Sequence, residues 1–465
     1  MADPRPVREL ALGVLVRVAR EGAHAAPLVD ARGRDLAPRD RDFLRALVKK
    51  TLRGALRLDH VLARHLRQAP ETLDPPVLAA LRLGAAQLLL MDRVPPHAAV
   101  GETVAAARSV APKAAGLVNA VLRRVAEKEP RPGIVELPPE ADPVRRLALE
   151  TSHPQWLVAR WVAAFGPDAA GAALAADEED APMDLLADPR AGTLEEVVGL
   201  LAADGIAAVR SPWAPLALTV THGNAAAHPL VTSGALAVVD AAAQAMVELV
   251  VAADVVADLA AAPGGKTRAL LATGRARRVV ALERTASRAR RLAANLAAAG
   301  RRGEALVVRA DAGQPPLPRG RFASVLLDAP CSGTGTLRKN PEIRLRLRPE
   351  DLAGFAETQR RLLRAAFDLV APGGTLVYVT CSLEPEENEG VVDALLGERP
   401  DFALVVPAAG LPVPLAAAVA PRGLVRVLPG ATHDGFSAAV LRRESPLTSP
   451  EAEPTFPAFP VNSIA

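Results

Sequence analysis

The sequence predicts a multidomain fold: an all-α N-terminal bundle, a mixed α/β middle region and a C-terminal α/β domain built on a parallel sheet. Three observations support this prediction. The length of 465 residues is enough for about three domains. Residues 1–128 carry apolar side chains at helical spacing, and from about residue 236 short apolar runs alternate with helical stretches.

The N-terminal segment, residues 1–128, reads as several amphipathic helices. RPVRELALGVLVRVAR, DRDFLRALVKKTLRGALRLDHVLARHL and DPPVLAALRLGAAQLLLM repeat an apolar period near 3.6 residues. Asp74 and Pro75 form a helix start signal for the third of these. PPHAAVGETVAAAR and KAAGLVNAVLRRVAEK complete the set, so short Pro-containing turns are expected to join a compact bundle.

The next segments are a predicted linker and a mixed region. EKEPRPGIVELPPEADP is rich in proline and charge, which predicts a linker over residues 129–150. In residues 151–235, HPQWLVARWVAAFG favours a helix, whereas MDLLAD, AVR and LALTVT favour short strands. We expect this region to be a mixed α/β linker or a small subdomain.

The C-terminal segment, residues 236–442, alternates strands and helices. Fully apolar strands in such an order predict a parallel sheet that is covered on both faces. The candidate strands are VVADLA (255–260), RVVALE (278–283), ALVVRA (305–310), ASVLLD (323–328) and GTLVYVT (374–380). The Pro- and Ser-rich end, residues 443–465, predicts a disordered tail.

Composition excludes several classes of protein. Half of the residues are hydrophobic, yet no apolar run approaches the roughly 20 residues of a membrane helix. The start MADPRPVREL lacks the pattern of a secretory signal, and two Cys with eight scattered His show no zinc-ligand spacing. We therefore expect a cytoplasmic monomer without metal or membrane partners.

Charge is mildly positive but clustered. The formal net charge is +3, and arginines concentrate at Arg123-Arg124, Arg277-Arg278, Arg288 to Arg291 and Arg344 to Arg348. Such clusters are typical of a polyanion partner and equally of a solvated face. Charge alone leaves both interpretations open.

The loop after the first strand of the C-terminal domain has the features of a ligand-binding turn. In ADLAAAPGGKTRALL, Gly264 and Gly265 let the backbone approach a ligand, and a helix from about Thr267 would point its N-terminus at it. A P-loop needs Gly where this chain has Ala260, and the dinucleotide motif G-x-G-x-x-G is missing. Both nucleotide-binding interpretations are therefore rejected.

Acidic residues follow the next strands. Glu283 ends the second strand, Asp311 follows the third and Asp328 ends the fourth. A lone acid at such a place is usually a cap or a turn residue. Ligands of open α/β sheets lie beyond the carboxyl ends of the strands, so this ordered series favours a ligand with ribose and amine groups.

The motifs DLAAAPGGKT, RADAG, LLDAPCSGTGTLRKNPEI and YVTCSLEPEENEGVV, in this order, resemble the RNA cytosine-C5 methyltransferases of the Sun/NOL1/NOP2 family. VPPHAAVGETVAAAR and AGLVNAVLRR resemble a NusB-like domain. The resemblance implies a Rossmann-like class I domain that uses S-adenosyl-L-methionine. It also implies a 16S ribosomal RNA substrate, unassembled or partly assembled. The NusB-like bundle is then expected to bind RNA, and residues 151–235 to be a linker or a further RNA-binding subdomain.

The resemblance also implies site residues. Ala260 stands where many family members have Cys, and Lys266 is either a solvated helix-start residue or a contact in the cofactor loop. Glu386, Glu387 and Glu389 are expected to cap a helix start, without a catalytic role. The implied cofactor-binding residues are Ala260, Ala261, Ala262, Pro263, Gly264, Gly265, Lys266, Glu283, Asp311 and Asp328.

The two cysteines, Cys331 in DAPCSGTG and Cys381 in VTCS, are the implied catalytic pair. Carbon 5 of cytosine becomes nucleophilic when a thiolate adds at carbon 6, which is covalent catalysis. The resemblance assigns this attack to Cys381, release of the adduct to Cys331, and contact with the N3 edge of the base to Asp328. A cysteine in an apolar strand is otherwise a small core residue, and a disulfide between the two is a further alternative.

The RNA partner would be bound mostly through phosphates, because aromatic residues make up 3% of the chain. Arg338, Lys339, Arg344 and Arg346 are the local candidates for these contacts. Two other functions are kept as alternatives. One is a transfer RNA cytosine-C5 methyltransferase, and the other is a non-catalytic NusB-like RNA-binding or antitermination factor.

Overall fold

The computed structural model describes residues 7–129, 142–407 and 410–445. Its chain forms two units: a helical unit of residues 1–179 with 337–347, and a sheet unit of residues 180–336 with 348–465. Most of the predicted linker, 130–141, and most of the predicted tail, 446–465, lie outside the described residues.

The helical unit is built from amphipathic helices, as the apolar spacing predicts. Several of them begin with proline, whose fixed φ suits the first helical turn and whose missing N–H is not needed there. The helices are α1 Val7–Glu21, α2 Ala25–Gly33, α3 Pro38–Arg53, α4 Ala55–Ala63, α5 Pro75–Leu89, α6 Pro96–Val110, α7 Ala115–Lys128, α8 Pro143–Glu150, α9 Gln155–Phe165 and α10 Pro167–Ala176.

Helix α5 lies at the centre of this unit and is buried along nearly its whole length. Gly84 on α5 is where α7 approaches closely, because a Cβ atom at Gly84 would lie 2.3 Å from Cδ1 of Leu122. A side chain at this position would therefore displace the side chain of Leu122 on α7. Small residues on α5 set the spacing of the bundle.

Helix α8 occupies the end of the segment for which the sequence predicts a linker. The side chain of Asp142 accepts a hydrogen bond from the N–H of Val144 at 2.9 Å and so caps the helix, whose first residue is Pro143. Asp142 and Pro143, residue types that favour a linker in the sequence analysis, here form the start of a helix. Helices α8 to α10 belong to the helical unit, so the mixed region from residue 151 is divided at about residue 179.

A short segment from much later in the chain, residues 337–347, also belongs to the helical unit and carries helix α16, Ile343–Arg346. The Arg344 guanidinium donates to the carbonyl oxygens of Arg53 at 3.2 Å and Asp177 at 2.9 Å, at the ends of α3 and α10. It also donates to Glu178 at 2.5 Å. Cations are favourable at helix C-termini, so Arg344 ties these ends together.

This arrangement corrects the prediction of RNA contacts for Arg338 and Arg344. Arg338 is 0% exposed and Arg344 is 3% exposed, so neither side chain presents a phosphate-binding surface. Arg346 is exposed, and its guanidinium donates to the carbonyl of Gly22 at 2.7 Å. Arg344 and Arg346 use guanidinium N–H groups to bind carbonyl groups of the protein, and these are the same donors that a phosphate of RNA would need.

The sheet unit begins with a four-stranded antiparallel sheet in the order β2-β3-β1-β4, covered by helix α11, Leu194–Ala203. The sequence predicts the first three of these strands. Strand β4 lies within the segment for which the sequence predicts the C-terminal domain, but it pairs with β1. The strands are β1 Met183–Ala187, β2 Ala207–Arg210, β3 Ala217–His222 and β4 Leu236–Val238, with the short helix α12 Pro229–Thr232 before β4.

The second sheet has eight strands, and its path is β10-β12-β9-β8-β5-β6-β7 with β11 paired to β12. Strands β7, β6, β5, β8 and β9 run parallel, and β12 pairs antiparallel with β9, β10 and β11. The strands are β5 Ala253–Asp258, β6 Ala276–Leu282, β7 Ala305–Val308, β8 Phe322–Asp328, β9 Val370–Thr380, β10 Phe402–Val405, β11 Val425–Val427 and β12 Phe436–Arg443.

Both faces of this sheet are covered, as fully apolar parallel strands require. The helices of this domain are α13 Ala241–Ala245, α14 Gly265–Ala272, α15 Ala286–Ala298, α17 Asp351–Phe367, α18 Glu389–Glu398 and α19 Val413–Ala417. One face packs against α14 and α15, where Leu270 and Leu292 are buried. The other face packs against α17 and α18, where Leu363 and Val391 are buried.

The predicted fold class is confirmed: a helical N-terminal part, a mixed middle and a C-terminal α/β domain. The strands β10 to β12 were missing from the prediction, and two of them are only three or four residues long, too short to give a clear strand pattern. In the described part of the chain, no helix has the length and apolar character needed to cross a membrane.

Candidate active site

A cavity of about 310 Å³ lies beyond the carboxyl ends of the parallel strands, in the sheet unit. The strand order reverses between β5 and β8, which is where ligands of open α/β sheets bind. Seven of the residues predicted from the sequence line it: Ala260, Ala262, Glu283, Asp311, Asp328, Cys331 and Cys381. The cavity therefore brings the acid series and both cysteines together.

The loop between β5 and α14 forms one side of the cavity. Gly264 precedes α14 with φ of +108°, and a Cβ atom there would lie 2.9 Å from Leu292, so glycine is required twice over. Asn295 donates to the carbonyl of Pro263 at 2.8 Å and fixes the loop from behind. The other predicted residues of this segment are not among the cavity-lining residues: Ala261, Pro263, Gly264, Gly265 and Lys266.

Glu283 follows β6 and is almost fully buried. Its carboxylate accepts a hydrogen bond from the N–H of Thr285 at 2.7 Å and lies 3.3 Å from Nε of Arg288. Arg288 also donates to the carbonyl of Ala262 at 2.9 Å. Arg288 thus joins the glycine loop to the acid, whereas the sequence interpretation had grouped it with the basic clusters.

Asp311 follows β7 and is held by two partners. Its carboxylate accepts from the N–H of Gly313 at 2.9 Å and from Arg361 at 3.1 Å. The Gly313 hydrogen bond and, after it, Arg361 lower the pKa of Asp311 despite partial burial. Arg361 lies on α17, far from Asp311 in sequence, and was not predicted.

Asp328 ends β8 and is paired with Lys266 at 2.8 Å. Burial alone would lower the pKa of Lys266, but the charges of Asp328, Cys381 and Asp258 raise it overall, so the lysine stays protonated. About a third of the Asp328 side chain remains exposed, 33%, so the carboxylate remains accessible from the cavity. Lys266 is therefore largely buried and paired with Asp328, and the alternative that it is a solvated residue at the helix start is excluded.

A second acid near this pair, Asp258, is the last residue of β5 and is fully buried. It accepts a hydrogen bond from the hydroxyl of Thr267 at 2.7 Å. Burial raises the pKa of Asp258 to about 7. Its contact with the first turn of α14 anchors the glycine loop to the sheet.

The two cysteines face each other with Sγ atoms 3.1 Å apart, and both are free thiols. Cys381 directly follows Thr380, the last residue of β9, whereas Cys331 lies in the loop beyond β8. These strands are parallel neighbours, which explains why residues fifty positions apart meet. The hydrogen bond to Cys381, burial and the charges of Cys381, Glu387 and Asp328 raise the pKa of Cys331 well above its ordinary value.

A buried network behind the cysteines was not predicted. It comprises Gln359 on α17 and Glu387 in the turn after β9, both 0% exposed. Glu387 was expected to cap a helix. The signal that could have found it is the serine that follows each cysteine. Among the described residues, no group of three or more His, Cys, Asp or Glu is arranged to hold a metal ion.

The sheet order, the acids at its carboxyl ends and the paired thiols define a class I methyltransferase domain. The family model for 16S rRNA methyltransferase RsmB/F matches residues 247–442, the NusB family matches 5–127, and an RsmF/B-like ferredoxin-like domain matches 153–226. The chain belongs to the RsmB/F family of RNA methyltransferases and is an RNA methyltransferase. This finding confirms the resemblance and removes the non-catalytic alternative.

Relatives match over most of the chain. MT1451 of Mycobacterium tuberculosis is 36% identical over 416 residues, covering 86% of this chain and 88% of the relative. The ribosomal RNA small subunit methyltransferase B of Sodalis glossinidius is 34% identical over 404 residues, covering 86% and 90%. The crystal structure of PH0851 has the same fold, with a TM-score of 0.78, 24% identity and coverage of 95% and 100%.

Proposed function

We propose that the protein transfers a methyl group from S-adenosyl-L-methionine to carbon 5 of a cytosine in 16S ribosomal RNA, through a covalent bond between Cys381 and carbon 6. The observation that carries this proposal is the pair of thiols, 3.1 Å apart, in the wall of the cavity that also contains Glu283 and Asp311. The name of the Sodalis relative supports the ribosomal substrate.

The cavity fits the proposed cofactor in size and chemistry. About 310 Å³ lies at the lower end of the range of small-molecule sites. Glu283 would accept hydrogen bonds from the ribose hydroxyl groups, Asp311 would accept from the adenine side, and the glycine loop would let the backbone come close. When bound there, S-adenosyl-L-methionine supplies an electrophilic methyl group.

The two cysteines have different roles in the covalent reaction. The raised pKa of Cys331 keeps its proton at neutral pH, so its S–H can donate to the neighbouring sulfur of Cys381. Cysteine attacks as the thiolate, which is its nucleophilic form. The thiolate forms a bond to carbon 6 of the cytosine, and carbon 5 becomes the nucleophile. After methylation, the proton on carbon 5 leaves to a base and the bond between carbon 6 and sulfur breaks. Cys331, in contact with the departing sulfur, assists this release.

Asp328 is the proposed contact to the base. Its carboxylate lines the cavity and is held in place by Lys266 at 2.8 Å. In this position it would accept a hydrogen bond from the N3 edge when that edge becomes protonated in the adduct. Lys266 acts through Asp328 and is a positioning residue.

RNA binding is proposed for a groove of about 620 Å³ in the helical unit. Arg39, Lys50 and Arg93 line it and are exposed. Arg8 also lines it, and its guanidinium lies over the ring of Phe43 at 5.1 Å. Such a groove suits the phosphates of RNA, while the target base must be unpaired or flipped to reach a thiol. The roles of residues 151–235 in RNA binding, the monomeric state and the cytoplasmic location stay predictions.

The test is methyl transfer to unmodified 16S RNA by the whole protein and two variants. Cys381→Ala should lose turnover, because the sulfur that bonds to carbon 6 is then missing. Cys331→Ala should accumulate a covalent protein–RNA complex, visible as a shifted band on a denaturing gel. Retained turnover in Cys381→Ala, or the absence of a shifted band for Cys331→Ala, would contradict the proposal.

A further inference from the structure

Each cysteine of the chain is followed by a serine, and both serine side chains meet the same carboxylate. Ser332 and Ser382 are buried, and their hydroxyl oxygens lie 3.1 Å apart. Between them lies Glu387, which is 0% exposed and ends the short turn Pro385–Glu387. A fully buried acid beside two proposed catalytic groups calls for a physical explanation, because burying a charge is costly unless it is hydrogen-bonded.

The carboxylate of Glu387 is saturated with donors. Its Oε2 accepts from the N–H of Ser332 at 2.9 Å and from the side-chain amide of Gln359 at 2.8 Å. Its Oε1 accepts from the hydroxyl of Ser382 at 2.5 Å and from the hydroxyl of Ser332. An ionised carboxylate is acceptor-only, so four donors match its hydrogen-bonding capacity.

These bonds act directly beside the sulfurs. The N–H of Ser332 belongs to the peptide that joins it to Cys331, and Gln359 also donates to the carbonyl of Pro330 at 3.0 Å, on the other side of Cys331. Just beyond the end of β9, Ser382 is joined to Cys381. One carboxylate thus holds the backbone of the Pro-Cys loop and the first residue beyond Cys381.

We propose that Glu387 is a positioning residue that fixes Cys331 and Cys381 in register, so that bond formation by one and release by the other occur at the same ring. This inference rests on the proposed function. The four hydrogen bonds of this carboxylate replace the helix-capping role that the sequence predicts for it. Glu389, two residues later, starts α18 and pairs with Arg426 at 2.7 Å.

The experiment compares Glu387→Gln with Glu389→Gln in the full chain. Both changes remove one negative charge, but the amide introduced by Glu387→Gln would direct a donor at groups that are themselves donors. A displacement near 1 Å of a catalytic group costs about 100-fold in rate, so we expect kcat of Glu387→Gln to fall by about that factor. The KM for RNA and the Kd for S-adenosyl-L-methionine should stay within about twofold, because the cavity acids and the RNA groove are unchanged.

A second readout reports on the sulfur itself. The charge of Glu387 is one of the causes that raise the pKa of Cys331, after the Cys381 hydrogen bond and burial. In a Cys381→Ala background, alkylation of Cys331 by iodoacetamide should therefore begin at lower pH in Glu387→Gln than in Glu389→Gln. Melting temperature and cofactor binding, measured on the same samples, verify that the variants are folded.

A folded Glu387→Gln protein with the kcat of Glu389→Gln would overturn the inference. If Glu387→Gln does not fold, Ser332→Ala and Ser382→Ala each remove one hydroxyl donor and leave the others. Each is expected to lose about 10-fold in kcat, since hydrogen bonds to charged groups are the strong ones, and unchanged kcat in both would equally overturn it. Failure of the proposed function has a different signature, namely turnover by Cys381→Ala whatever stands at position 387.

Discussion

In the sheet unit, acids stand at the ends of consecutive parallel strands and face a cavity, as Glu283 and Asp328 do. In the helical unit a polar cluster around Arg344 is buried instead, and the side chain of Arg344 is 0% exposed. The first arrangement leaves acceptors accessible to a ligand, whereas the second directs its donors to the protein's own carbonyl groups. Charged side chains therefore remain accessible to a ligand in one unit and are bound by the protein itself in the other.

The comparison also separates two populations of arginine and lysine in the helical unit. Arg344 is bound by helix ends, while Arg39 and Lys50 are exposed in a groove. If the distinction is correct, changing the buried cation alters the free energy of unfolding, and changing the exposed cations alters RNA affinity. The acids of the sheet unit should alter cofactor affinity.

The largest effect is expected for Arg344→Met. Removal of the guanidinium leaves the carbonyls of Arg53 and Asp177 without this donor in a buried place, and breaking such a buried network costs about 3 kcal/mol or more. The free energy of unfolding, measured in urea by circular dichroism, should fall by that amount. The control is Arg346→Met, an exposed cation two residues later, which should change it by less than about 1 kcal/mol. Equal losses of unfolding free energy in Arg344→Met and Arg346→Met would contradict the distinction between buried and exposed cations.

The contrast between Arg344 and the exposed cations shows which contacts cannot be predicted from local sequence. The helices were predicted because their apolar spacing is local information. Arg344 lies 291 positions from Arg53, and its run of arginines is indistinguishable in sequence from a phosphate-binding cluster. Whether a cation meets RNA or a carbonyl depends on tertiary packing, which no local pattern encodes.

The next effect is expected for Glu283→Gln. The change keeps the shape of the side chain but removes the charge that would strengthen hydrogen bonds to ribose hydroxyl groups, a loss of about 1.5 kcal/mol or roughly 10-fold in affinity. Calorimetric titration with S-adenosyl-L-methionine measures it. Glu357→Gln, on the exposed surface of α17, is the matched control and should bind as the wild type does. Wild-type affinity in Glu283→Gln would remove this acid from the cofactor site.

The smallest effect is expected for the double change Arg39→Gln and Lys50→Gln in the groove. Loss of two phosphate contacts should weaken RNA binding and reduce the slope of log K against log salt by about 1.4 for single-stranded RNA. Filter binding at several salt concentrations measures both. A control double change, Arg17→Gln and Arg20→Gln, alters cations that pair with Glu21 and Asp74 outside the groove. An unchanged slope in the groove variant, or an equal change in the control, would contradict the RNA surface.

In the sheet unit the sequence was more informative, because parallel strands bring their carboxyl ends to one edge and the residues that follow them are therefore neighbours. That rule predicted that Glu283, Asp311 and Asp328 lie at one edge of the sheet, and it explains why Cys331 and Cys381 meet there. It could not predict Arg361 and Gln359, which come from the helix α17 that packs on the sheet. Contacts from a covering helix depend on its rotation, so they were found only in the structure.

The most direct test of the central claim uses wild-type protein and 16S RNA in which cytidine is replaced by 5-fluorocytidine. Fluorine at carbon 5 prevents loss of a proton there, so the sulfur–carbon bond cannot be released and the complex persists with both cysteines present. Digestion with nuclease and protease followed by mass spectrometry then identifies the attached residue. We predict a methylated 5-fluorocytidine on the peptide that contains Cys381, and attachment at Cys331, or none, would contradict the account.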